Sequence, residues 1–211
     1  MSDPRTTDRS ASGVFRLPVR RLLLVCHAST AATRSFAFPC DESLDERGRV
    51  AASRLATALP RRCEVLSSPA VRCRETARAA GLAECVEPAI AECDFGSWSG
   101  RTLADVHAHE PEAVSLWMTD PHSSPHGGET LAAFAVRVAR WLDGQAVLDD
   151  PAVAITHAEV VKAALVHVLG APFASFWRID AAPLAVTELH ARDGRWIVAR
   201  ANCPLPTKAS T

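Results

Sequence analysis

Arg21-Leu22-Leu23-Leu24-Val25-Cys26-His27-Ala28-Ser29-Thr30 is the stretch on which the reading of this chain turns. Residues 21–26 form a short, mostly apolar run with the character of a strand buried on both faces. The run ends in a histidine, followed by alanine and then by polar residues. Ala152-Val153-Ala154-Ile155-Thr156-His157-Ala158 repeats the arrangement. If the two strands are neighbours, both imidazoles meet at one edge of a sheet. A single histidine after a strand reads as readily as a cap or a core residue. Two at equivalent strand ends point to chemistry.

Working outward, strand-like and helix-like segments alternate. Residues 44–59 carry Val50, Leu55 and Ala58 at helical spacing, and residues 64–67 read as a second strand. Pro69 opens a helix through Ala80, since proline is tolerated in a first helical turn. Residues 102–118 read as a helix interrupted at Pro111. Residues 129–147 form an amphipathic helix with Leu131, Phe134, Val138 and Trp141 on one face. A helix over residues 158–169 follows the second histidine strand. Residues 185–190 and 195–199 flank Asp193-Gly194, a hairpin signal. This alternation predicts an α/β fold, a three-layer α/β/α sandwich with a mainly parallel central sheet, in which chemistry sits at the carboxyl ends of the strands. Residues 18–202 form one domain, residues 1–17 a disordered tail rich in Ser, Thr, Arg and Asp, and residues 203–211 a loose C-terminal tail.

Composition narrows the function. Of 211 residues 48% are hydrophobic, enough for a substantial core. The 23 basic and 24 acidic residues leave a net charge of -1, which gives no reason to expect nucleic acid or a membrane surface as partner. No run approaches the ~20 apolar residues of a membrane span, and the N-terminus is polar through Gly13 without the apolar core of a signal peptide. A cytoplasmic location is expected. The seven cysteines lack the spacing of a zinc site and read mostly as small buried hydrophobes in a reducing compartment. No metal and no cofactor is expected. The oligomeric state is open, with a homodimer admitted.

Six motifs in order resemble the histidine phosphatase (phosphoglycerate mutase-like) superfamily. Leu24-Val25-Cys26-His27-Ala28-Ser29-Thr30 stands where that family has Arg-His-Gly after its first strand. Leu44-Asp45-Glu46-Arg47-Gly48-Arg49 matches a helix opening, and Ser67-Ser68-Pro69-Ala70-Val71-Arg72-Cys73-Arg74-Glu75-Thr76-Ala77 the second arginine element. Glu92-Cys93-Asp94-Phe95-Gly96-Ser97-Trp98-Ser99-Gly100 matches the acidic element, Pro125-His126-Gly127-Gly128-Glu129-Thr130 the Gly-Gly-Glu helix start, and Thr156-His157-Ala158 the second histidine. The resemblance implies that His27 attacks phosphorus and becomes phosphohistidine, which a neutral imidazole can do. It implies that Arg72 holds phosphate oxygens, His157 donates to the phosphoryl group, and Glu92 protonates the leaving oxygen and then deprotonates water. Thr30, Thr33, Arg34 and Ala158 would lie on the substrate side, and a small phosphorylated metabolite would be the substrate. Without the resemblance, Gly127-Gly128-Glu129 reads simply as a helix N-terminus, with Glu129 complementing its dipole. Trp98 reads as core; Trp98, Trp117, His122 and His126 are also candidates for the entrance.

The chain departs from the family where it matters. Cys26 replaces the first arginine, and Ala28 and Ala158 replace glycines. Losing one transition-state donor typically costs ~10²–10³ in rate. Arg34, in the loop after His27, is the candidate to fill the vacancy, against the alternative of a solvent-facing loop arginine; Arg20 and Arg21 are further candidates. Cys26 is not read as a cysteine-phosphatase nucleophile, because a C-x5-R loop would need arginine at the position of Ala32. Three functions compete: a phosphomonoester hydrolase acting through phosphohistidine, a diverged biosynthetic enzyme using His27, His157 and Glu92 for acid and base chemistry, and an inactive binding homologue.

Overall fold

A computed structural model of the chain describes residues 20–205. The expected tail over residues 1–17 lies outside them, as do residues 206–211 of the expected C-terminal tail. The strands are β1 (Arg20–Cys26), β2 (Glu64–Ser67), β3 (Cys85–Val86), β4 (Ala152–Thr156), β5 (Val186–Arg192) and β6 (Arg195–Cys203). The helices are α1 (Ala31–Ser35), α2 (Glu46–Ala52), α3 (Val71–Ala79), α4 (Leu103–His109), α5 (Pro111–Thr119), α6 (Leu131–Gln145) and α7 (Ala158–Val168). One six-stranded sheet runs β3-β2-β4-β1-β5-β6. The β3-β2, β2-β4 and β4-β1 pairs are parallel, while β5 and β6 run antiparallel to their neighbours.

Alternation along the central strands builds both faces. Leu22, Leu24, Ala152 and Ala154 join the larger core, which α6 and α7 cover through Phe134, Val138, Val160 and Ala164. Leu23, Val25, Val153 and Ile155 point to the other face and pack under α3 through Cys73 and Ala77. Because successive side chains take opposite faces, a strand covered by helices on both sides must be apolar at every position. No helix among the described residues is long and apolar enough to cross a membrane.

Several elements differ in extent from the sequence reading. The helix expected over residues 44–59 is α2 followed by a separate 3-10 turn, Leu55–Ala58. Val50 faces solvent, and Gly48 and Ala52 are buried instead. Gly48 touches the loop after β1, and a Cβ there would sit 2.3 Å from the Ser29 carbonyl oxygen. Close approach marked by small residues is invisible to apolar periodicity. Pro69 precedes α3 rather than lying in its first turn, and the Val71 N–H is capped by Asp41 Oδ1 at 2.7 Å. The α6 helix starts at Leu131 because Thr130 is its N-cap, with Oγ1 accepting from Ala133 N–H. Glu129 therefore lies outside the helix and pairs with Arg137 rather than with the dipole. The Asp193-Gly194 turn has φ of 50° and 69°, the positive pair of a tight hairpin. Strand β6 continues to Cys203, and Leu205 packs against the core, within the stretch expected to be loose.

Candidate active site

The carboxyl ends of β2, β4 and β1 lie side by side. Ser68 N–H donates to the Ile155 carbonyl at 2.9 Å and His27 N–H to the Thr156 carbonyl at 2.8 Å. The ladder bonds thus run one step past the strands and set Ser68, His157 and His27 in a row. The imidazole centroids of His27 and His157 are 5.3 Å apart, edge to face. Both rings are buried.

Arg72, from the first turn of α3, lies across this row and is only 2% exposed. Its Nε donates to His27 Nε2 at 3.3 Å. Its Nη2 is 3.2 Å from His157 Nδ1 and 3.5 Å from Glu92 Oε2. Glu92 Oε2 is in turn 3.0 Å from His157 Nδ1. On the far side of His157, Ser68 Oγ lies 2.7 Å from Nε2, with Cys73 Sγ at 3.6 Å. Five residues from five separate segments, His27, Ser68, Arg72, Glu92 and His157, therefore share one hydrogen-bonded cluster.

The protonation pattern follows from partners and burial. His27 Nδ1 lies 2.8 Å from the Ala28 carbonyl, which can only accept. The proton therefore sits on Nδ1, and Nε2, which accepts from Arg72, keeps its lone pair. Burial, then His157 and Arg72, lower the His27 pKa to about 3, so the ring is neutral throughout the physiological range. Burial, reinforced by Arg72, pushes His157 well down too. Burial raises the Glu92 carboxyl above its ordinary value, against the opposing pull of Arg72 and His27. A neutral base, a carboxyl inclined to hold its proton and a buried guanidinium are thus adjacent.

Above Arg72 opens a cleft of about 320 Å3, lined among others by Asp41, Ser68, Arg72, Glu92, Asp94 and Phe95. A larger hollow of about 640 Å3 lies at the opposite end of the strands, around Arg20, Glu64 and Asp150, away from this cluster. Among the described residues, no three His, Cys, Asp or Glu side chains are grouped to hold a metal ion.

The other expected site residues take different places. Thr30 is the N-cap of α1: its Oγ1 accepts from Thr33 N–H at 3.2 Å and donates to Glu42 at 2.8 Å, and Thr33 Oγ1 donates back to the Thr30 carbonyl. The Arg34 guanidinium is on Asp45, the α2 cap, and half exposed. Ala158 begins α7 and packs against the core. Arg20 reaches the other end of the sheet, toward Gln145 and Glu64, and Arg21 pairs with Glu188. Among the described residues Arg72 alone brings a guanidinium to His27. Cys26 is 3% exposed and its thiol pKa is raised well above the ordinary value, first by burial, then by Glu159 and other acidic neighbours. That environment opposes thiolate formation. Trp98, Trp117 and His126 are buried in an aromatic cluster with Phe38 and Phe95, so of the four entrance candidates only His122 is on the surface. Sequence reasoning missed Ser68, Cys73, Asp41 and Glu159. Ser68 and Cys73 lay within the quoted Arg72 motif. Asp41 and Glu159 had no signal beyond proximity to Thr30 and His157 in the chain.

The loop carrying Glu92 is locked to the turn before α6. Gly96 has φ +49° and a Cβ there would fall 2.1 Å from the His126 carbonyl oxygen; one on Gly128 would fall 2.1 Å from the Asp94 carbonyl oxygen. Glu129 N–H donates to that same Asp94 carbonyl at 2.9 Å. Only glycine lets the two backbones approach so closely.

Comparison with known proteins gives the family. Residues 22–204 match the profile of the histidine phosphatase superfamily (branch 1). Phosphoserine phosphatase 1 of Hydrogenobacter thermophilus is 28% identical over 193 residues, covering 86% of this chain and 92% of that protein. Bifunctional protein Rv2228c of Mycobacterium tuberculosis is 32% identical over 184 residues, covering 81% of this chain; the chain spans 50% of that protein's length. Among solved structures, a mycobacterial glucosyl-3-phosphoglycerate phosphatase complexed with VO3 superposes with a TM-score of 0.76 at 26% identity, covering 87% of this chain and 99% of the other. The alpha-ribazole phosphatase of Shigella flexneri shares the fold, with a TM-score of 0.76 at 23% identity over 90% of this chain and 100% of its own. Cluster, fold and profile agree: the chain belongs to the histidine phosphatase superfamily.

Proposed function

We propose that this protein is a metal-independent phosphomonoester hydrolase that acts on a small phosphorylated metabolite through a phosphohistidine on His27. One observation carries the reading: a neutral His27 whose Nε2 lone pair faces a buried guanidinium, next to a carboxyl whose pKa is raised. Arg72 lies between two neutral imidazoles, and among the described residues the carboxylates within 4.0 Å of it are Glu92, whose pKa burial raises, and the exposed Asp41, 4.0 Å from Nη1. A buried cation so incompletely neutralised favours an anion against it. The phosphatase names of the relatives support the same chemistry.

In the first step the Nε2 lone pair forms the P–N bond while the P–O ester bond breaks. The ester oxygen keeps the electron pair and takes the Glu92 proton. His27 then carries positive charge, which the Nδ1–H bond to the Ala28 carbonyl stabilises. In the second step the Glu92 carboxylate takes a proton from water, the water oxygen bonds to phosphorus, and the P–N pair returns to Nε2, releasing inorganic phosphate. Arg72 and His157 hold the equatorial oxygens throughout.

Incubation with 4-nitrophenyl phosphate tests the proposal. The expected result is slow turnover, unchanged by a metal chelator and abolished by His27→Ala, with labelled phosphate trapped on the wild-type protein alone. Absence of both turnover and trapped label overturns it. A second reading, acid and base chemistry on a less charged substrate, draws on one observation: Cys26 leaves a single guanidinium at His27. It gains support if the untagged wild type turns over no phosphomonoester while His27→Ala abolishes another activity.

A further inference from the structure

We propose that Arg137 of α6, clamped by Glu129, is the residue that positions Glu92 for proton transfer to the leaving group; this rests on the phosphatase reading above. The Arg137 guanidinium spends all its donors on one purpose. Nε and Nη2 bind Glu129 Oε1 and Oε2 at 3.1 and 2.7 Å, a bidentate pair. Nη1 donates to the Ala89 and Ala91 carbonyls at 2.9 and 3.1 Å, and Nη2 also to the Glu92 carbonyl at 3.3 Å. Its guanidinium carbon lies over the Phe134 ring, 5.1 Å from the centroid. Residues 89–92 include a short 3-10 turn, Pro88–Ile90, and then extended backbone at Ala91, so few ladder bonds fix them. Arg137 supplies anchors through the carbonyls of Ala89, Ala91 and Glu92, and Thr156 Oγ1 holds that of Ile90 between them.

The clamp is tied at its other end. Glu129 follows the Gly127-Gly128 turn, and its own N–H donates to the Asp94 carbonyl, two residues beyond Glu92. The acid loop is therefore held on both sides of Glu92, by Arg137 before it and by the Gly128–Glu129 backbone after it. The planar fork of arginine can bridge a carboxylate and several carbonyls at once, whereas lysine offers a single point. Freed from the clamp, the Glu92 carboxyl would lose its fixed 3.0 Å relation to His157. Displacement of an acid by about an ångström is enough to cost ~10²-fold in rate.

The experiment compares kcat/KM, which reports the steps up to leaving-group release, for 4-nitrophenyl phosphate and for β-glycerophosphate. Nitrophenolate departs without much protonation; the glycerol alkoxide needs the acid. Arg137→Lys, Arg137→Ala and Glu129→Gln should each lower kcat/KM on β-glycerophosphate by ~10–10²-fold and on 4-nitrophenyl phosphate by less than about threefold, the selectivity of a misplaced general acid. Glu92→Gln should show the same selectivity, and adding Arg137→Lys to it should lower the β-glycerophosphate rate little further, because both changes remove one function. Equal losses on the two substrates in folded variants, or additive losses in the double variant, overturn the proposal while leaving the phosphatase reading intact. If none of the three single variants folds, the pair determines the fold and the positioning role is rejected. Wild-type protein that turns over neither substrate overturns the phosphatase reading, and this inference with it.

Discussion

At the scale of the residue, His27 is defined by what its two nitrogens face. One meets a carbonyl and must hold the proton; the other meets Arg72 and must not. The stability consequence has a definite sign. The His27 pKa is about 3 in the folded chain against 6.5 as its ordinary value, so across that window the unfolded chain binds more protons and stability falls as pH falls. His157 acts in the same direction, and Glu92, with a raised pKa, acts oppositely above 4.5. Glu159, raised by burial to about 6, acts with Glu92, while His126, lowered by burial, acts with the other two histidines, so three histidines stand against two carboxyls. Melting temperature should therefore drop between pH 7 and pH 5, and drop less in His27→Asn; equal drops would contradict burial of a neutral ring as the cause. Arg34 is predicted to matter little. Its exposed pair with Asp45 is worth ~0–1 kcal/mol, so Arg34→Ala should change kcat/KM less than about twofold and melting only slightly. Cys26→Arg is a contrasting case. Its side chain would overpack a buried site at a cost of ~1–3 kcal/mol, seen as a lower melting temperature. It would also bring a second guanidinium beside His27, and phosphatase kcat/KM should rise by ~10-fold or more, within the range one transition-state donor commands.

At the scale of the element, each site residue depends on a boundary. Strand ends place the histidines, a borrowed cap from Asp41 places the turn carrying Arg72, and a glycine contact places the acid loop. Gly128→Ala tests the last of these. Its Cβ would meet the Asp94 carbonyl oxygen at 2.1 Å, so the loop or the turn must shift. The expected outcome is a loss of ~1–3 kcal/mol in denaturant unfolding together with a fall in kcat/KM; Gly127→Ala, with nothing near its Cβ but φ at +75°, should cost ~1–2 kcal/mol through left-handed strain alone and leave kcat/KM nearer the wild-type value.

At the scale of the whole molecule, the sheet is a platform and the candidate site is confined to the carboxyl ends of its central strands. Core truncation away from those ends should separate stability from activity. Leu142→Ala, deep in the core near the end of α6, should lower unfolding free energy by ~2–5 kcal/mol while kcat/KM per folded molecule stays near the wild-type value. The apolar runs at 22–26 and 152–156, each ending in histidine, were enough to announce a covered parallel sheet, because a strand hidden on both faces has no polar positions to spare. The same runs named His27 and His157, and ordered motifs named Arg72 and Glu92. Contacts between residues far apart in the chain carry no such periodic mark. Arg34 turning to Asp45, Trp117 and His126 entering the core, and Arg137 reaching back to the Glu92 loop were all decided by tertiary packing. Local sequence thus determined most elements and the candidate residue types, since both depend on neighbours in the chain. Only the folded molecule decided which cation stands beside His27, because that depends on which distant side chains already satisfy one another.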